Sequence, residues 1–161
     1  MTQPVSKPYR DYITARYQGE VFGEALFGTL AARAGTNEAR NKWRALQRLE
    51  TTTKLRLRQE LEALGEPTLE SEERRIEGTE LGASLAAQTW AAAIEYLHPR
   101  IVGWVEDFRA AEALAPADRR RLVQEITEHE IALRDFTALE RLSQGGHSVA
   151  SAEAMTRRLG I

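Results

Sequence analysis

Cysteine is absent from the 161 residues. That excludes disulfide scaffolds, thiolate nucleophiles, iron–sulfur clusters and Cys-based zinc sites, so any metal must be held by oxygen or imidazole. An excess of positive charge is missing as well. The 22 basic and 24 acidic side chains leave a net charge of −2 and a pI near 6.0. Such a balance supplies no global field for nucleic acid or an anionic membrane, and neither is expected as a partner. No stretch approaches the roughly 20 apolar residues that cross a bilayer, and Met1 to Arg10 lacks the apolar core of a secretory signal. The expectation is a soluble, cytoplasmic protein. Period-2 runs of β-branched and aromatic residues are missing too, which removes strands from the expected fold.

Apolar residues instead recur at three- and four-residue spacings, the signature of helices, and the length fits a single domain over residues 1–161. A first helix is expected from Tyr9 to Ala34, stopping at Gly35 as a left-handed cap. Thr36 or Asn37 caps a second, with Glu38 in its first turn, ending near Leu64 before Gly65 and Pro67. The acid-rich connection from Gly65 to about Thr79 has room for one short helix. A third helix is expected from Glu80 to Leu114, kinked at Pro99, and a fourth from Pro116 to Gln144, stopping at Gly145-Gly146. The tail, Ser148 to Ile161, reads as a short helix packed on the outside or on a neighbouring chain. The fold class is therefore all-α. Two helical hairpins joined by a longer crossover make a four-helix bundle with its core in residues 9–144 and a tail in 145–161. The crossover of about 15 residues spans roughly 45–50 Å if extended, enough to run the length of a bundle.

Polar residues interrupt the apolar stripes at one level. The first helix reads Ile13, Tyr17, Glu20, Glu24, Phe27, Ala31, and the second Trp43, Leu46, Glu50, Thr53, Leu57, Leu61. The third reads Ala87, Ala91, Ile94, His98, Ile101, Val105, Phe108, with Glu95 and His98 forming a Glu-x-x-His pair. The fourth reads Leu122, Ile126, His129, Leu133, Phe136, with Glu130 at its edge. Glu20, Glu50, His98 and Glu130 each lie near the midpoint of their helix, and midpoints of packed helices meet. An unpaired buried carboxylate is costly, and four helices giving Glu or His at one height is what a carboxylate-bridged dimetal centre requires. Residues three apart share a helix face, so Glu95 and His98 could reach one ion or two adjacent ions.

The segments YQGEVFGEALFGTLA around Glu20, RALQRLETTTKLRL around Glu50 and EITEHEIALRDFTALE around His129 and Glu130 give the chain a resemblance to the ferritin-like superfamily, in particular to rubrerythrin-like bundles. The resemblance covers most of residues 9–144. It implies a ferritin-like topology and a di-iron or di-manganese pair acting on oxygen or peroxide. Glu20, Glu50, Glu95 and Glu130 match by position the four helix glutamates of that pattern, and His98 and His129 would be its nitrogen donors. The sequence departs from the pattern at Thr53 and Leu133, each three residues after its Glu where a His would stand. Tyr17 would be the nearest oxidisable side chain. The alternative is a metal-free helical interaction or structural protein whose Glu and His residues form a hydrogen-bonded layer that fixes helix register. A homo-oligomer, most simply a dimer, is expected to cover Trp90, Trp104 and the tail helix. Substrate and physiological partner are not legible.

Overall fold

Hydroxyl caps set most of the helix starts. In the computed structural model, which describes residues 4–160, Ser6 accepts from the Tyr9 amide and opens α1 (Lys7–Arg33). Thr36 does the same for Ala39 at the head of α2 (Asn37–Leu64). Ser71 caps α3 (Glu72–Ala86) through Arg74, and Thr89 caps α4 (Trp90–Ala111) through Ala92. Each hydroxyl satisfies an amide that the first turn cannot pair internally. Short 3-10 turns at Glu112–Leu114 and Ala117–Arg119 lead into α5 (Arg120–Arg141), and another at Gly145–His147 leads into α6 (Ala150–Leu159). The described residues are thus all helix and turn, as expected, but they form six helices. None is long and apolar enough to cross a membrane.

The expected third helix is two. Its first part belongs to α3, which begins inside the supposed connection, and the chain breaks at residues 87–89 because the Thr89 hydroxyl takes the Ala92 amide and starts a new helix. α3 lies on α1 at close range. A Cβ on Gly78 would stand 2.2 Å from the Phe22 carbonyl oxygen, and one on Gly82 2.8 Å from that of Leu26. Two other stops also differ. The residue after α1 is Ala34 in an extended conformation, so Gly35 is not a left-handed cap. α5 ends at Arg141, and the left-handed residue there is Ser143 (φ 56°), ahead of the glycine pair. Gly65 does cap α2 at φ 70°, donating to the carbonyls of Glu62 and Leu61.

α1 and α2 form one antiparallel hairpin and α4 and α5 the other, with α3 against α1, and α6 against both α2 and α5. Ala152 and Met155 anchor α6 to this same chain. Trp90 packs on Trp43 and Phe136, at centroid separations of 4.8 and 6.3 Å. Two apolar clusters fill the interior. One joins Leu26, Phe27, Leu30, Trp43, Leu46, Leu97 and Phe136, and the other joins Tyr9, Ile13, Tyr17, Leu57, Leu61, Phe108 and Ile126. In sequence, Glu20, Glu50 and His129 each fall between the members their helix gives to the two clusters.

Candidate metal centre

Three helices bring the polar residues between the clusters together. Glu20 comes from α1, Glu50 and Thr53 from α2, and His129 and Glu130 from α5, each at most 4% exposed. His129 Nε2 lies 3.2 Å from Glu50 Oε1, a hydrogen bond, and 3.4 Å from Glu20 Oε2. One donor atom from each of Glu20, Glu50 and His129 falls within 4.8 Å of the other two. On the other side of the ring, Nδ1 stands 3.9 Å from Glu130 Oε2. Glu20 Oε2, His129 Nδ1, Glu130 Oε1 and Thr53 Oγ1 are buried with no hydrogen-bond partner. A buried polar atom left unpaired costs free energy, and this layer carries four of them.

The Glu50 carboxylate lies directly against α1 at Gly23. A Cβ on Gly23 would stand 2.2 Å from Glu50 Oε2, so glycine at this point of α1 makes the space the carboxylate occupies. Gly28 does the same for Gln47, whose amide would lie 2.8 Å from a Cβ there.

Burial dominates the electrostatics. Loss of water lifts the Glu50 carboxyl from an ordinary 4.5 to about 8, with the charges of Glu130 and Glu24 adding to the rise. Glu130 is pushed to about 7, first by burial, with His129 acting in the opposite direction. Glu20 is raised well above the usual carboxylate range, by burial and then by the charge of Glu50. Three carboxylates so placed shed their charge by holding protons or by sharing a cation.

A cavity of about 110 Å³ reaches Glu20, Glu50 and Glu130, with Leu97, Ile101 and Trp104 of α4 on its far side. Trp104 is 38% exposed. Arg16, one turn before Glu20, also lines this crevice. Its guanidinium stacks on Phe108 at 4.3 Å and lowers the carboxyls of both Glu20 and Glu130. Tyr12 lies against the same guanidinium (5.8 Å), its hydroxyl buried without a partner.

Of the six residues expected to gather, Glu20, Glu50, His129 and Glu130 do so, whereas Glu95 and His98 do not. The Glu95 side chain is 58% exposed and pairs with Arg141 at 2.7 Å. His98 Nδ1 lies 2.7 Å from Thr137 Oγ1 in a half-buried contact. The reason is rotational. The buried stripe of α4 is Ala93, Ile94, Leu97, Ile101, Val105, Phe108, which turns Glu95 and His98 away from the middle. Tyr17 likewise points elsewhere, donating to the Thr68 carbonyl at 2.9 Å. Arg16 and Gly23 were within reach of sequence reasoning, since they stand four before and three after Glu20 on the same face of α1. Comparison with protein-family models, with curated proteins and with solved structures found no match to this chain.

Proposed function

We propose that this chain is a ferritin-like bundle that holds one iron or manganese ion through Glu20, Glu50 and His129 and works on oxygen or a peroxide. The observation that carries the proposal is the donor set. Two carboxylates and an imidazole from three different helices converge within 4.8 Å in a fully buried layer. Oxygen and imidazole suit iron and manganese, and the orphaned Glu20 Oε2 is a ligand atom in waiting. For the carboxylate-bridged pair that the family resemblance implies, the donors do not suffice. The α4 side of the crevice carries Leu97 and Ile101 where a further carboxylate would be needed. The two antiparallel hairpins joined by a long connection support the ferritin-like reading of the topology, with α3 occupying that connection.

When bound, such an ion supplies one-electron chemistry toward dioxygen or a peroxide. The protein's own groups do the rest. The crevice, with Leu97, Ile101, Phe108 and Leu133 among its walls, is the route by which a small molecule would reach the layer. Arg16 offsets part of the carboxylate charge. Glu130, with its carboxyl near 7, holds or releases a proton beside the donor set. His129 Nε2, not Nδ1, is the ring nitrogen that faces Glu20 and Glu50 and would meet the ion.

A second reading is favoured by the raised carboxyls. Glu20 and Glu50 could stay protonated and form a metal-free layer that sets helix register. The two readings separate by metal analysis of protein purified without chelator and reconstituted anaerobically with Fe(II) and, separately, Mn(II). One equivalent per chain, lost in His129→Ala, supports the metal centre. Less than about one-tenth equivalent on folded protein rejects it and leaves the polar layer.

A further inference from the structure

α1 and α4 face each other across the crevice beside the carboxylate layer, and its two walls differ in kind. α4 gives only apolar side chains, Leu97, Ile101, Trp104 and Phe108. Arg16 and Glu20 of α1 and Glu130 of α5 border the same space. Two of their polar atoms lie outside the donor set and are buried without a hydrogen-bond partner, Arg16 Nε and Glu130 Oε1. They do not satisfy each other, because Arg16 forms no ion pair within 4 Å among the described residues. Arg16 Nε offers a proton and Glu130 Oε1 a lone pair. A single hydroxyl, which accepts one hydrogen bond and donates another, answers both.

Groups of both signs border the space, and they select against a charged head. An anion entering it would lie against Glu20 and Glu130, and a cation against Arg16, whereas an uncharged head meets no like charge. Arg74 of α3, also on the border, is paired with Glu77. Size narrows the choice further. A core cavity of about 150 Å³ takes benzene, so the 110 Å³ here suits roughly four or five non-hydrogen atoms. Gly19 lines the crevice between Arg16 and Glu20, and a Cβ there would meet nothing nearer than Arg16 Nη1 at 4.0 Å. A side chain at this position would therefore enter the crevice without a clash at its root.

We propose that the crevice binds a short-chain alcohol or alkyl hydroperoxide, with its hydroxyl toward Arg16 Nε and Glu130 Oε1 and its chain against Leu97, Ile101 and Trp104. Binding needs no ion in the layer, so it stands or falls separately from the metal centre.

The test uses the full chain with propan-1-ol and ethyl hydroperoxide, and with propionate and propylammonium as charged counterparts of similar shape. NMR at the Trp104 indole N–H follows binding in chelator-treated protein, and calorimetry repeats the propan-1-ol titration on protein as purified. Propan-1-ol should saturate one site per chain in the millimolar range, in keeping with so small a ligand. Both charged counterparts should bind at least about tenfold more weakly, since each meets a like charge and leaves one buried group unpaired. The tighter of the alcohol and the hydroperoxide identifies the natural head, and either order supports the proposal. Arg16→Met should weaken propan-1-ol about tenfold by removing the donor. Gly19→Leu should abolish binding by filling the space, while Leu69→Ala, 86% exposed and outside the crevice, leaves it unchanged. No saturation by either neutral ligand in the millimolar range overturns the proposal, as does a charged counterpart that binds as tightly. So does binding that survives Gly19→Leu in folded protein. If that variant fails to fold, the ranking of neutral against charged ligands and the Arg16→Met ratio decide alone.

Discussion

Replacing Glu50 with leucine tests the electrostatics of the layer and its metal affinity in one series of melts. In the metal-free protein the Glu50 carboxyl sits at about 8, against 4.5 in the unfolded chain. Below pH 4.5 both states carry the proton, and the group has no effect on stability through its ionisation. As the pH rises, the unfolded chain releases the proton first, so stability falls progressively until the folded group also ionises near 8. At about 1.4 kcal/mol per pH unit, holding that proton at pH 7 costs the fold about 3 kcal/mol. Leucine removes the cost and fills the space beside Gly23. Against this, His129 Nε2 loses its hydrogen bond and keeps only Glu20 Oε2 at 3.4 Å, a loss of about 1–2 kcal/mol. The balance at pH 7 is a gain of about 1–2 kcal/mol, a rise of a few degrees in Tm for a chain of this size. At pH 4.5 most of the gain disappears, and wild type should melt level with the variant or above it. With Fe(II) or Mn(II) at a hundredfold its Kd, wild type should gain about 2.7 kcal/mol, or roughly 5–10 °C, and Glu50→Leu nothing. Differential scanning calorimetry at the two pH values, with and without metal, gives all the comparisons. A metal-free variant melting well below wild type at pH 7 would refute the desolvation argument. A wild-type Tm that ignores both metals would refute the metal centre.

Gly23→Ala should gain up to about 1 kcal/mol in helix propensity. It should nonetheless lower Tm and weaken metal binding, because the new methyl meets Glu50 Oε2 at 2.2 Å. Calorimetry with and without metal reads both effects, and a stabilised variant with undiminished affinity would contradict the packing described for Glu50. Gly78→Ala presses a methyl against the Phe22 carbonyl oxygen at 2.2 Å. A destabilisation of about 1–3 kcal/mol in urea is expected, with faster amide exchange in α3 than in α2, and unchanged exchange in α3 would show that the close approach is not needed. Metal-free wild type should lose stability between about pH 5 and 8, since Glu20, Glu50 and Glu130 are all raised in the fold. A flat Tm across that window would mean that these carboxyls are not raised.

Local chemistry carried much of the architecture. Thr36 before an amphipathic run, Gly65 after one, and Pro67 beyond it mark α2 at both ends, because caps and left-handed stops depend on residues within one turn. The same locality placed Glu20 and Glu50 on interior stripes, since the neighbours that bury them recur at helical spacing along their own helices. What a single strand of sequence leaves open is rotation and partner choice. On α4, the stripe through Ile94 and Ile101 is served by Leu97 or by His98, and a turn of about 100° per residue separates a ligand facing the interior from one on the surface. Packing against α5 decided for Leu97 and sent Glu95 to Arg141. The stretch from Glu80 to Ala86 also reads as helix; the Thr89 cap separates it from α4, and its close fit to α1 through Gly78 and Gly82 decides where the resulting α3 lies. Gly23 is the clearest case. In sequence it is a weak spot in a helix, and its purpose exists only where the Glu50 carboxylate from α2 arrives, 27 residues along the chain, in the space a side chain would have filled.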